Sequence, residues 1–165
     1  MAIRAGVLAD THLTRPDDRF SALAAICFQT CDIIIHAGDV TEAAVFHAFG
    51  DKPIYAVHGN MCSPSMSNRY PASQLFQING FTIGLAHGAG MGPDIENGLW
   101  RLFPEADCII YGHTHQAACH TYGRVLFLNP GSFRFSRHYE AQGSYAILEI
   151  ADTLRAQIHP LPISL

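Results

Sequence analysis

Ile33-Ile34-Ile35-His36-Ala37-Gly38-Asp39-Val40 is a run of mostly β-branched apolar residues that breaks off at a glycine and a carboxylate. It has no polar face, so it predicts a central strand covered on both sides. Gly38 then lets the backbone turn and leaves Asp39 at the strand's carboxyl end. Open parallel sheets gather their ligands just outside that edge, where side chains from several loops share a small volume. Asp39 is therefore the centre of a candidate metal site, to which other strands finishing at the same edge would add donors.

Working outward, Ile3 to Ala9 reads as a first buried strand ending in Asp10-Thr11-His12. Between the two strands, Phe20, Leu23, Ile26 and Cys27 recur at helical spacing after the acids Asp17 and Asp18, completing a strand-helix-strand crossover. Thr41 is expected to cap a second helix ending at Gly50, with Ala44, Val45, Ala48 and Phe49 on its buried face. Pro53 to His58 reads as a strand running into Gly59-Asn60, and residues 61–73 as a polar, proline-punctuated loop. Asn79-Gly80 suits a two-residue hairpin turn between Leu75–Ile78 and Phe81–Ala86, whose second strand enters His87-Gly88. Pro93 opens a helix through Phe103, and Asp107 to Tyr111 is a strand ending in Gly112-His113-Thr114-His115. A turn near Tyr122-Gly123 returns Val125 to Leu128 toward Asn129-Pro130-Gly131-Ser132, and Ser144–Ile150 with Leu154–His159 form a closing hairpin.

The length of 165 residues fits a single domain over 1–165. With 48% hydrophobic and 15% charged residues the chain reads as an ordered globule rather than a disordered one. A formal charge of −4 gives no basic footprint for a nucleic-acid polymer, and no aromatic and basic track accompanies it. The five cysteines are odd in number and form no Cys-x-x-Cys pair, which fits free thiols in a reducing compartment. No stretch has the length of a signal core or a membrane span, so the expectation is a cytoplasmic protein without membrane partners.

Five predicted strand ends thus carry the same kind of payload: Asp10-x-His12, Gly38-Asp39, Gly59-Asn60, His87-Gly88 and Gly112-His113-x-His115. Their carboxylates, imidazoles and one amide are the donors that Mn²⁺, Zn²⁺, Fe or Ni²⁺ accept. Two such ions ~3.5–4 Å apart can clamp a phosphate and lower the pKa of a shared water to about 7. A carboxylate with two oxygens can hold both ions, and histidines complete the site without adding charge that would repel the phosphate.

These five blocks, in this order, resemble the calcineurin-like metallophosphoesterase superfamily. Gly112-His113-Thr114-His115 and Asn129-Pro130-Gly131-Ser132 point to its small bacterial and archaeal phosphodiesterases. The resemblance implies an α/β/β/α sandwich of four layers, with two mixed sheets between outer helices. It also implies one divalent ion on Asp10, His12, Asp39 and His115 and a second on Asp39, Asn60, His87 and His113, with Mn²⁺ expected first. Asp39, Asn60 and His87 would then serve catalysis, in which a metal-bridging hydroxide attacks a small phosphate ester. Asn129 to Ser132 would turn backbone amides toward the pocket, and Arg137 matches a phosphate-binding arginine of relatives. A homo-oligomer is compatible with this reading.

The sequence departs from the pattern beside Asn60. The residue that follows is Met61, which cannot protonate a leaving group, Cys62 replaces a usual acid, and Ala89 stands where a second histidine is common. All the expected ligands are retained nevertheless. The alternative function is a non-catalytic interaction scaffold on the same fold, as in the retromer subunit that resembles these enzymes. Of the remaining histidines, His36 and His58 read as supports of the site, and His47, His120, His138 and His159 as ordinary surface residues. Cys27, Cys31, Met91 and Trp100 read as packing residues.

Overall fold

The computed structural model describes residues 1–134 and 142–163, so Arg137 and His138 lie outside the described residues. β1 (Ile3–Leu8) and β2 (Ile33–His36) run parallel, with Ala5 opposite Ile33 and Leu8 opposite His36. Their crossover is α1 (Asp18–Phe28), whose first turn is capped by Asp17 accepting the Phe20 amide at 2.7 Å. The buried stripe of α1 is Phe20, Leu23, Ala24, Cys27 and Phe28, which turns Ile26, expected on that face, out to solvent.

Residues 41–50 do not form the expected α-helix. A 3-10 helix spans Ala43–Phe49 with no side-chain cap, and Thr41 is not its capping residue. Its tighter, three-residue repeat puts Phe46 directly over Phe49, so Phe46 is buried where Ala44 and Ala48 were expected. β3 (Ile54–Ala56) extends the sheet in parallel. The loop expected over 61–73 contains α2 (Pro64–Arg69), with Ser63 accepting the Met66 amide. Serine before proline looks like loop punctuation, yet serine at the cap and proline at the first helical position are equally a helix start.

The second half supplies β4 (Ser73–Ile78), β5 (Phe81–Ala86), α3 (Ile95–Leu102), β6 (Cys108–Ile110), β7 (Ala118–Tyr122), β8 (Val125–Asn129), β9 (Ser144–Ile150) and β10 (Leu154–Pro160). One five-stranded sheet has the order β10-β9-β1-β2-β3 and the other β4-β5-β6-β8-β7. Both are mixed: the β1-β2-β3 and β5-β6-β8 sets are parallel, and the hairpins add antiparallel strands.

Three hydrophobic layers explain the unbroken apolar strands. Ile33 and Ile35 join Val7, Ile83, Leu85 and Ile110 between the sheets. Ile34, between them in sequence, faces the other way, toward Phe20, Phe28 and Phe49 beneath the helices of the first half. Ile109 and Phe127 lie with Leu99 under α3. Each sheet is covered on both faces, as the expected α/β/β/α sandwich requires.

Candidate functional site

The loops after the parallel strands are stitched together by their backbones. Asp10 donates its amide to Gly38 O at 3.0 Å, His12 to Asp39 O at 2.9 Å, and Gly112 to His87 O at 3.1 Å. Two further bonds join the sheets, His113 N to Asp10 Oδ2 at 3.0 Å and His87 Nδ1 to Ala37 O at 2.8 Å, so the strand ends of both meet at one place. Asp10, His12, Asp39, His113 and His115 all have φ between 51° and 68°, and they account for every positive-φ non-glycine residue described except Asn79. Asn79 is the hairpin position where such a φ was expected. At the other five the left-handed backbone costs on the order of 1–3 kcal/mol each and persists only where surrounding structure enforces it.

The side chains converge as tightly as the backbones. Asp10, Asp39 and His87 are 0%, 2% and 3% exposed, so three ionisable groups are nearly removed from water. Asp10 Oδ1 lies 3.3 Å from His115 Nε2 and 3.8 Å from His87 Nε2. Asp39 Oδ2 lies 3.2 Å from His87 Nε2 and 3.9 Å from His12 Nε2. The second oxygen of each carboxylate accepts a backbone amide, Asp10 Oδ2 that of His113 at 3.0 Å and Asp39 Oδ1 that of Met61 at 2.7 Å. An oxygen that accepts one hydrogen bond keeps a further lone pair, so these bonds orient each carboxylate and leave both of its oxygens able to ligate.

His87 gives the clearest test of whether a cation fits. Its Nδ1 is 2.8 Å from Ala37 O. A carbonyl only accepts, so Nδ1 carries a proton and Nε2 presents its lone pair in the neutral ring. That lone pair faces two carboxylate oxygens, and neither His87 Nε2 nor Asp10 Oδ1 makes an aligned hydrogen bond. Such opposed acceptors need a proton or a metal ion between them. His12 Nε2 and His115 Nε2 lie 3.4 Å apart, a spacing that one ring donating to the other also satisfies. Asp10, His12 and His115 form one group with metal-binding spacing, and Asp10, Asp39 and His87 a second.

With no ion bound, the electrostatics favour the proton of those two alternatives at His87 and Asp10. Burial raises the Asp10 pKa to about 6, with His87 and His115 pulling it down and Asp39 pushing it up. Burial also works against the charge on Asp39, but His87 and the Met61 amide outweigh it and hold this carboxyl below its usual range. For His87, burial favours the neutral ring, yet Asp39, Ala37 O and Asp10 together raise its pKa. Burial lowers His12 and His113.

The two remaining expected ligands lie at the margin. His113 sets its ring against that of His87, 5.1 Å apart at 73°. Asn60 is exposed, but it stands between Gly59 and Met61, both of which abut Asp39. A Cβ on Gly59 would collide with Asp39 Oδ1, so only glycine lets that strand end approach the carboxylate.

Several residues support the site from behind it, one of them expected and the others not. His36 was expected to support the site, and it does so from full burial: Nδ1 accepts the Gly38 amide at 3.2 Å, leaving Nε2–H for Thr11 Oγ1 at 3.2 Å. Thr11 is thereby fixed between Asp10 and His12. Cys62 Sγ donates to Val40 O at 3.0 Å and accepts the Gly59 amide at 3.1 Å, tying together the loops of Asp39 and Asn60. Asn129 clamps the loop of His113 and His115 through Gly112 O and Thr114 Oγ1, both at 3.0 Å. Of the amides of Asn129 to Ser132 expected to face the pocket, that of Gly131 donates instead to Asn129 Oδ1, and just beyond them Phe133 N donates to Ala9 O. Ser132 Oγ donates to Asp10 O. A buried run of polar residues in Asn-Pro-Gly-Ser is the only sequence signal that could have shown this, and it does not reveal which loop is held.

The chain is similar to known proteins in sequence and in fold. A probable metallophosphoesterase of Methanocaldococcus jannaschii is 33% identical over 162 residues, covering 94% of this chain and 80% of its own. The crystal structure of Vps29 from Entamoeba histolytica complexed with Zn²⁺ superposes with a TM-score of 0.72 at 19% identity, over 96% of this chain and 99% of that one. A structure described as a novel archaeal phosphodiesterase matches with a TM-score of 0.74 at 20% identity, over 96% of this chain and 100% of that one. Residues 3–153 match the calcineurin-like phosphoesterase superfamily domain, and with the bilayered sheets and the convergent strand ends this makes the chain a member of that superfamily.

Proposed function

We propose that this chain is a binuclear metal-dependent phosphoesterase acting on a small phosphate ester. Asp10, His12, Asp39 and His115 hold one divalent ion, and Asp39, Asn60, His87 and His113 the other. Mn²⁺ is the first metal to test, ahead of Zn²⁺, Fe and Ni²⁺. The observation that carries the reading is the lone pair of His87 Nε2 facing the carboxylate oxygens of Asp39 and Asp10 without an aligned hydrogen bond. When bound, such ions polarise a phosphoryl oxygen and bring the pKa of a water down to about 7.

The protein's own part is positioning and charge. Asp39 Oδ1 accepts the Met61 amide, which fixes the orientation of the carboxylate that the two ions would share. The imidazoles add no negative charge against the substrate. No acid stands ready beside Asn60: Met61 has no proton to give, and Cys62 uses its S–H on Val40 O while burial pushes its thiol pKa up. Esters with stable leaving anions are therefore the favoured substrates. Phosphodiesters belong in the panel beside monoesters, given the archaeal phosphodiesterase of the same fold.

The test is hydrolysis of an aryl phosphomonoester and a bis-aryl phosphodiester by protein stripped with chelator and reloaded with each metal. Turnover that requires the metal supports the proposal. Metal-loaded protein that turns over nothing in the panel would refute it and favour the scaffold reading, which the similarity to Vps29 keeps in view.

A further inference from the structure

One cavity bordered by described residues is lined by none of the candidate ligands. It lies between α3 and the β7–β8 edge of the second sheet, encloses about 620 Å³, and is lined by Asp94, Glu96, Trp100, His120, Tyr122 and Phe127 together with Asn97. Its volume is that of a small-molecule site. Glu96 and Trp100 are four residues apart and share a face of α3, while His120 and Tyr122 alternate onto one face of β7. Phe127, 1% exposed, forms the floor.

The aromatic walls are set by ring contacts. Trp100 lies nearly parallel to Phe127, at 18° and 6.2 Å between centroids, and so does His120, at 12° and 5.8 Å. Tyr122 meets Trp100 at 78° and 5.2 Å. Glu96 is fixed at its first turn, Oε1 accepting from Tyr111 OH and Oε2 lying 3.0 Å from His120 Nε2. Asp94 adds a second carboxylate, and no lysine or arginine is among the lining residues.

Aromatic faces carry a negative quadrupole, and here two carboxylates stand beside them with no lysine or arginine in the lining, His120 being occupied with Glu96. An anion would be repelled. A neutral ring would cover the carboxylates and leave them incompletely solvated. A methylated ammonium has a diffuse, weakly hydrated charge that passes readily from water onto aromatic faces, as aromatic cages elsewhere do. We propose that the cavity walled by Trp100, Tyr122 and Glu96 binds a small organic cation with a methylated ammonium head. Trp100, read from sequence as a packing residue, then packs on one face and binds with the other, and the site stands whether or not the metal loops hydrolyse esters.

Trp100 is the sole tryptophan of the chain, so intrinsic fluorescence reports this cavity directly. The full chain is titrated with choline and with 3,3-dimethylbutan-1-ol, which has the same shape without the charge. A saturable signal with choline, at least ~10-fold tighter than with the neutral alcohol, is expected. By calorimetry, Tyr122→Ala and Glu96→Gln should each weaken choline binding by ~10-fold. Tyr122 is 67% exposed, so its truncation leaves the core untouched. Treatment with chelator should not change the affinity. Absence of saturation, equal binding of the two ligands, indifference to Tyr122→Ala, or loss of binding on chelation would each overturn the assignment.

Discussion

Replacing His36 by asparagine should make the metal-free protein less sensitive to acid. His36 is fully buried, and burial lowers its pKa from 6.5 to about 3. Its two nitrogens are spent on the Gly38 amide and Thr11 Oγ1, and its ring meets Phe46 edge-on at 5.7 Å. The folded state therefore holds a neutral ring at pH values where the unfolded chain takes up a proton. Because the folded pKa is the lower one, the contribution to stability is complete above 6.5 and is lost as the pH falls toward about 3. Between pH 7 and 5 the wild type should lose ~2 kcal/mol from this residue alone, a value that follows from an unfolded pKa near 6.5 by linkage. Asparagine cannot titrate there, although at pH 7 it should cost ~1–3 kcal/mol through the lost donor to Thr11. Urea unfolding of both proteins at the two pH values gives the difference directly, since the other titrating groups are common to both. A stability gap between wild type and His36→Asn that stays constant or widens on acidification would refute the buried, neutral role of His36.

Gly59→Ala should cripple the site while the fold survives. The added Cβ would fall on Asp39 Oδ1 and 2.7 Å from the Asp39 amide, and a displacement of about 1 Å at such a centre costs ~10²-fold in rate. Circular dichroism should stay native while metal-dependent turnover of an aryl ester drops; undiminished turnover would contradict the close approach. Met61→His should raise turnover of alkyl esters by up to ~10²-fold and leave aryl esters nearly unchanged, because only the poorer leaving group needs the proton. Met61 is 58% exposed, so the new ring can reach substrate without repacking the core. Matched alkyl and aryl rates in the wild type, with chemistry rate-limiting, would show that another group already supplies that proton.

The fold and the location of the site were legible because they rest on short-range patterns. Apolar strands ending in Gly-Asp, His-Gly or Gly-His state both that the strand is buried and that a donor sits at its end. Asn79-Gly80 named its hairpin for the same reason. What stayed hidden depends on geometry between distant segments. Ser63-Pro64 serves a loop or a helix equally well until the first turn is seen to close on Met66. The 3-10 winding of 43–49 is decided by how Phe46 and Phe49 pack, not by propensity. Nothing in Cys62 or Asn129 states which carbonyl each will meet. That Asp39 Oδ1 accepts the Met61 amide, which orients the carboxylate, is likewise invisible in the sequence. Trp100 and His120 were assigned to packing and surface because their cavity is formed by a helix and a strand separated by the whole of β6.

No helix among the described residues is long and apolar enough to cross a membrane. The metal equivalents that the convergent loops hold are the most direct test of the proposed chemistry. Wild type, Asp39→Ala and Asp10→Ala should be dialysed against Mn²⁺ and analysed for bound metal beside protein concentration. Binuclear binding with Asp39 shared predicts about two equivalents for the wild type, close to none for Asp39→Ala and about one for Asp10→Ala. Two equivalents retained by Asp39→Ala, or a wild type that saturates at one, would contradict it.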